Sequence, residues 1–280
     1  MDRATEIREL LKLSPAEVIE HAGDRLIVCD DLAALHRHFA EDLAREIRGS
    51  NAQNRPLRLI VPVGPAGQYP ILAEIIHRDR LSLSDCSLFF MDEYCDASGR
   101  AVPRKHPLSL RGAAYRAFLD RLDEACGLRD ERVVFPDEGN IDRLETMIED
   151  AGGIDVCYGG IGIHGHVAFN EPERGVCDSG PRRVDLNDFT VTINAVRAHV
   201  GGNLECFPRQ AYTLGMRQIL GAKKIRLFCR NGCELDWANT VLRLALFGEP
   251  GDDYPVTHIR DRDYVIATDR QTLATPDNHL

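Results

Sequence analysis

Lysine is nearly missing from this chain. Only Lys12, Lys105, Lys223 and Lys224 stand among thirty-four basic residues, so Schiff-base or P-loop chemistry has four positions to use, and none lies in a G-x-x-x-x-G-K-[ST] context. The nine cysteines are scattered and include no C-x-x-C pair, which excludes a zinc ribbon and gives no sign of a disulfide framework. No apolar stretch approaches the roughly 18 to 20 residues of a membrane span. The N-terminal MDRATEIRELLKL has neither an apolar core nor a small-residue cleavage site, so it does not read as a secretory signal and a cytoplasmic location is expected. Positive charge is also in deficit. With a net charge of -10, the chain is a poor match for nucleic acid or an anionic membrane surface.

What is present is the composition of an ordinary globular protein, 280 residues long and 44% hydrophobic. Two short helices, 4–13 and 15–22, are predicted first, the second with Ser14 as cap and Pro15 at its first position. A strand at 25–29 follows, and Asp30 and Asp31 open a long amphipathic helix to about residue 48. Apolar runs at 57–63, 87–91, 154–158, 225–229 and 264–267 predict strands, separated by helical stretches near 69–79, 108–125, 140–150 and 233–247. Continuous apolar strands alternating with helices predict a single α/β domain over 1–280, a mostly parallel, Rossmann-like sheet with helices on both faces. The segments 94–107 and 172–210 are expected to be looser.

In an open parallel sheet, ligands bind beyond the carboxyl ends of the strands. Those positions are rich in functional groups here. Gly64, Pro65, Ala66 and Gly67 follow the first apolar run, where small residues let N–H groups and a helix N-terminus approach an anion, or simply make a tight turn. Asp92 and Glu93 end the run SLFFM; a partly desolvated carboxylate there suits a general base, and the plainer reading is a turn cap beside a surface ion pair. Gly160, Gly162 and Gly165 match the dinucleotide fingerprint, but Pro172 would end any helix almost at once, which disfavours that reading. His164, His166 and Glu171 have two readings: an H-x-H metal site with the carboxylate as third ligand, or a proton-shuttling His166 whose tautomer and basicity Glu171 sets.

Together, Met91-Asp92-Glu93-Tyr94, His106-Pro107-x-Ser109, the run from Gly160 to Pro172 ending Gly-His-x-Ala-Phe-Asn-Glu-Pro, and Thr213-x-Gly215-Met216 resemble the glucosamine-6-phosphate deaminase/isomerase family, whose superfamily includes the 6-phosphogluconolactonases. The resemblance spans about residues 57–268, with 1–50 as an N-terminal addition of helices and one strand. It implies that fold and an aldose–ketose isomerisation through an enediol or enolamine, with ammonia loss in deaminases. Asp92 would move the proton between C1 and C2. His166 would open the sugar ring, supported by Glu171, with His164 standing where the family has Asp or Asn. No metal or organic cofactor is implied, the partner is a small sugar or sugar phosphate, and a homo-oligomer is the family expectation.

Gly64, Ala66, Gly67, Glu93, His106, Arg111, Gly160, Gly165, Arg197 and Arg217 are the expected substrate-binding residues. The phosphate site departs from the family. Pro65 and Ala66 replace a glycine and a threonine, and the expected lysine after the strand 225–229 falls near Glu234. The sequence therefore predicts that glucosamine 6-phosphate is a poor substrate, and that the true ligand either lacks that phosphate or holds its anionic group against arginines such as Arg111, Arg197 or Arg217. A sugar-lactone hydrolase, using His166 to activate water, and a non-catalytic sugar sensor are the competing readings.

Overall fold

The computed structural model describes residues 2–231 and 235–278. Seven strands form one sheet in the order β1 (Leu26–Cys29), β10 (Tyr264–Asp269), β9 (Lys224–Phe228), β6 (Val156–Gly160), β2 (Leu57–Val61), β3 (Cys86–Phe90) and β5 (Val133–Val134). Every pairing in it is parallel. The strands are parallel because nearly every return passes through a helix, and they are apolar on both sides because both faces are covered.

One face carries α3 (Leu32–Gln53), α4 (Gln68–Asp79) and α5 (Leu110–Ala117), which bury Leu35, Phe39, Leu43, Tyr69, Leu72 and Ala114 against Leu57, Leu59, Leu88 and Phe90. The other face carries α2 (Pro15–Ala22), α6 (Leu144–Asp150), α8 (Met216–Leu220) and α9 (Asn239–Phe247), with Val18, Ile148, Ile219 and Leu242 against Ile60, Phe89, Cys157 and Ile225. The short terminal helices α1 (Arg3–Leu11) and α10 (Arg270–Leu273) pack on or beside α9. Side chains alternate across each strand, as the two-residue period requires. Among the described residues, no helix is long and apolar enough to cross a membrane.

A second sheet lies within and at the edges of the predicted loose segments. Asp92–Cys95 (β4), Gln210–Thr213 (β8) and Arg182–Asp185 (β7) pair antiparallel in the order β4-β8-β7. With α7 (Asp188–Arg197) they enclose a small core of Tyr94, Phe169, Leu186, Val191, Ala195, Phe207 and Ala211. These strands escape sequence reading because they are four residues long and two of them, RRVD and QAYT, mix polar with apolar residues without a continuous apolar run. Three predicted helices also shorten, the one at 233–247 being helical among the described residues only from Asn239. The stretch at 108–125 is helical only to Ala117, where Phe118 leaves helical geometry at φ -134°. The stretch at 140–150 begins as a 3-10 turn before α6.

Candidate active site

The larger sheet reverses its order between β2 and β6: the chain first adds strands on one side of β2 and later on the other. That switch point leaves a crevice at the carboxyl ends of the strands. Its floor is so narrow that a Cβ on Gly160 would lie 3.1 Å from the Gly64 carbonyl oxygen. A cleft of about 890 Å³, open mouth included, lies above it. Gly64, Pro65, Asp92, Tyr94, Gly160, Gly162, His166, Asn194, Arg197, Arg230 and Trp237 line it.

Asp92 stands at the seam between the two sheets. The Met91 N–H donates to the Val61 carbonyl of β2 at 3.1 Å, whereas the Met91 carbonyl accepts from the Leu214 N–H at 2.8 Å. The next side chain, Asp92, is thereby carried to the cleft edge and is only 9% exposed. Burial, followed by the neighbouring Glu93 carboxylate, raises its pKa to about 7. It is half ionised near neutrality, as a general base for that pH should be.

His166 comes from the turn after β6. The Gly162 N–H donates to the His166 carbonyl and the Gly165 N–H to the Gly162 carbonyl, both at 2.9 Å, and Gly165 takes φ +69°. The imidazole folds back over Gly162, where any Cβ would overlap it. Burial, with His164 and Arg197 nearby, lowers the His166 pKa to about 3. It is a neutral imidazole whose buried Nδ1 is left unpartnered among the described residues.

The support expected from Glu171 is not there. Its Oε2 accepts the Asn187 N–H at 2.8 Å, at the start of α7, and His166 is made less basic rather than more. Burial raises the pKa of Glu171 itself. The preceding Asn170 is fully buried and ties the turn to the smaller sheet. It donates to the Val167 and Leu214 carbonyls at 2.9 and 2.8 Å and accepts from Arg182 at 2.8 Å. His164 is not among the cleft-lining residues; its ring is edge-on to Phe189 at 5.0 Å and 6.1 Å from the His166 ring. Burial lowers its pKa, so it stays neutral.

Seven of the ten expected substrate contacts lie outside the cleft lining. Glu93 is buried behind the cleft, accepting from the Tyr94, Leu110 and Arg111 N–H groups at 2.8, 2.9 and 2.7 Å and from the Ser109 hydroxyl at 2.8 Å. It neutralises the N-terminus of α5, a place that favours a carboxylate. Arg111 lies over the Phe135 ring at 5.4 Å and lines a different hollow. The His106 Nδ1 accepts the Leu108 N–H at 3.2 Å, outside the cleft. Arg217 reaches back to Glu145 and the Asp178 carbonyl at 2.8 and 2.7 Å. Gly165 packs on Val256 and Tyr254 and serves the turn. Ala66 and Gly67 lie behind the wall where α4 begins, Gly67 against the His36 ring.

Sequence reading missed Tyr94, Asn194, Arg230 and Trp237. Arg230 follows the strand 225–229 directly, the position that the strand-end rule inspects, and it supplies a cation where only a lysine was sought. Its Nη1 donates to the Asn231 carbonyl at 3.1 Å. Arg197 lies 4.9 Å from the centre of the Trp237 ring, and Trp237 Nε1 is buried without a partner among the described residues. Glu234 lies outside the described residues. The lysines serve elsewhere, Lys223 on Asp155, Lys224 on Glu46 and Lys12 on Glu9, and none lines the cleft.

No protein-family profile matches the chain. The glucosamine-6-phosphate deaminase of Phocaeicola vulgatus is 30% identical over 215 residues, covering 73% of this chain and 77% of that protein. Glucosamine-6-phosphate deaminase 2 of Homo sapiens is 30% identical over 213 residues, 72% of each. A solved monomeric glucosamine-6-phosphate deaminase superposes with a TM-score of 0.76 at 23% identity over 89% of this chain and 98% of that one. The 6-phosphogluconolactonase of Thermotoga maritima superposes with a TM-score of 0.65 at 17% identity, over 87% and 98%. The fold is common to both kinds of enzyme, and the sequence separates them: this chain belongs to the glucosamine-6-phosphate deaminase family.

Proposed function

We propose that the protein catalyses aldose–ketose isomerisation of an amino-sugar phosphate, with release of ammonia. One observation carries this reading: a buried carboxylate, Asp92, titrating at about 7 on the edge of the cleft. Removing a proton from carbon next to a carbonyl needs a desolvated base of that strength. Hydrolysis of a lactone does not, since no C–H bond breaks.

In this mechanism His166, as neutral imidazole, accepts the anomeric hydroxyl proton and passes it to the ring oxygen as the ring opens. Ionised Asp92 then takes the C2 proton of the aldehyde, leaving an enolamine, and returns it to C1. The resulting ketimine adds water and loses ammonia, giving the keto sugar. Arg197 and Arg230 hold the anionic group as charge-assisted donors, and Asn194, Tyr94 and Trp237 Nε1 offer hydrogen bonds to hydroxyls. Glu171 acts as a positioning residue, anchoring the start of the helix that carries Asn194 and Arg197.

The test is incubation with glucosamine 6-phosphate in deuterated water. Deuterium at C1 of the product or C2 of recovered substrate, with ammonia released, is the expected result. Hydrolysis of 6-phosphogluconolactone without exchange into any sugar phosphate would replace this reading with the lactonase one.

A further inference from the structure

Away from the cleft, three side chains from two separate loops bring a thiol, a carboxylate and an imidazole together. One ligand atom from each of Cys177, Asp252 and His258 lies within 4.8 Å of the other two, and all three residues are half-buried. Among the described residues no other set of His, Cys, Asp and Glu converges this way. His258 Nε2 is 3.0 Å from Asp252 Oδ1, and the other carboxylate oxygen, Oδ2, is held by the Gly175 N–H at 2.7 Å. An imidazole–carboxylate pair accounts for two of the three groups. It gives no reason for a sulfur beside them.

We propose that Cys177, Asp252 and His258 form a site for a divalent transition-metal ion of the zinc class, with water in the fourth position. The donor set selects the ion: a thiolate and an imidazole suit zinc and are poor ligands for magnesium or calcium, which take oxygen. The charges also match. A thiolate and a carboxylate offset the two positive charges, the thiol proton leaving to solvent as the sulfur binds. Ligand bonds of about 2.0 to 2.3 Å place tetrahedral ligands roughly 3.3 to 3.8 Å apart, so the present spacing closes with shifts of about 1 Å. The Gly175 N–H then remains on the non-ligating oxygen and orients the carboxylate, the role an outer-shell donor plays at metal sites.

The position gives the ion a mechanical role. Cys177 lies in the loop that leaves the Asn170-Glu171-Pro172 turn, and His258 lies in the 3-10 helix Pro255–Ile259. The Val256 N–H of that helix donates to the Gly165 carbonyl at 2.7 Å, and Tyr254 packs on Gly165. An ion here would clamp two loops that flank the His166 turn. It stands outside the proton-transfer chemistry and is independent of the substrate reading.

The test titrates the chelator-treated full-length protein with cobalt(II) alone and with zinc(II) alone. One equivalent of cobalt is expected to give the near-ultraviolet thiolate-to-cobalt absorption, displaced by zinc, and zinc is expected to raise Tm. In Cys177→Ser the absorption should vanish, and in His258→Gln zinc should bind at least about tenfold more weakly. Each metal-free variant is compared with the metal-free parent by Tm, so that loss of binding is separated from loss of fold; either variant alone suffices if the other does not fold. A folded parent that shows no thiolate absorption would overturn the proposal. So would zinc affinity unchanged in the folded variants, which would put the ion elsewhere.

Discussion

At the scale of single residues, burial sets protonation in opposite directions for the two central groups. Desolvation disfavours charge, so it raises a carboxyl and lowers an imidazole. Asp92 is thereby moved to about 7 and His166 to about 3. Asp92 works as the ionised form, so kcat/KM should fall as pH drops through about 7, and His166, neutral on both sides of that value, should leave no mark there. The decisive comparison is His166→Gln: its residual activity should keep the same acid limb. Asp92→Asn should lose on the order of a hundredfold or more in kcat with substrate binding retained, as expected for removal of a general base. If the limb disappears in His166→Gln, the titration belongs to the histidine and the assignment of the base is wrong.

At the scale of elements, the His166 turn works because glycine leaves room at one point. Gly162 has no Cβ, and the imidazole occupies that space. Gly162→Ala should therefore push the ring off its position and lower kcat by about a hundredfold, the usual cost of a misplacement near 1 Å. Tm should change much less than activity, because the clash falls on one side chain; equal activity in the variant would show that the ring position is not needed. This turn and Asp92 were legible in the sequence for a simple reason. Each follows an apolar run whose length fixes where a strand ends, and the ligand side of a parallel sheet is the strand end. Arg230 follows the same rule and was overlooked because a lysine was sought in its place. Asn194, Arg197 and Trp237 follow no such rule. They reach the cleft through α7 and the segment before α9, and α7 is packed there by the antiparallel sheet whose short polar strands give no periodic signal. Glu93, His106 and Arg111 misled in the opposite sense: Glu93 and the Arg111 N–H, which look like site groups in a motif, are consumed in starting α5, and His106 braces the turn just before it.

At the scale of the whole molecule, the question is whether a chain of net charge -10 can favour an anionic substrate. Exposed charges more than about 8 Å from the cleft are largely screened at physiological ionic strength, so the overall excess of carboxylates counts for little inside it. Local charges decide. Among the described residues, the cleft lining holds Arg197 and Arg230 and one carboxyl, Asp92, that is only half ionised at neutral pH. Two strand ends and α7 bring these together from residues 92, 230 and 197, so the charge of the described lining is a property of the fold rather than of any one segment. On the function proposed above, glucosamine 6-phosphate is expected to bind through these arginines, whereas the altered residues Pro65, Ala66 and Glu234 predict from the sequence that it is a poor substrate; its steady-state kinetics decide between the two. Removing one side of a charged hydrogen-bonded pair typically costs 2 to 5 kcal/mol, so Arg230→Ala should raise KM for glucosamine 6-phosphate by about thirtyfold or more. KM for glucosamine, which lacks the phosphate, should hardly move. Steady-state kinetics with the two sugars makes the comparison. A rise shared equally by both would mean that Arg230 shapes the cleft without meeting the anion, and the phosphate would then have to be held at Arg197 or beyond it.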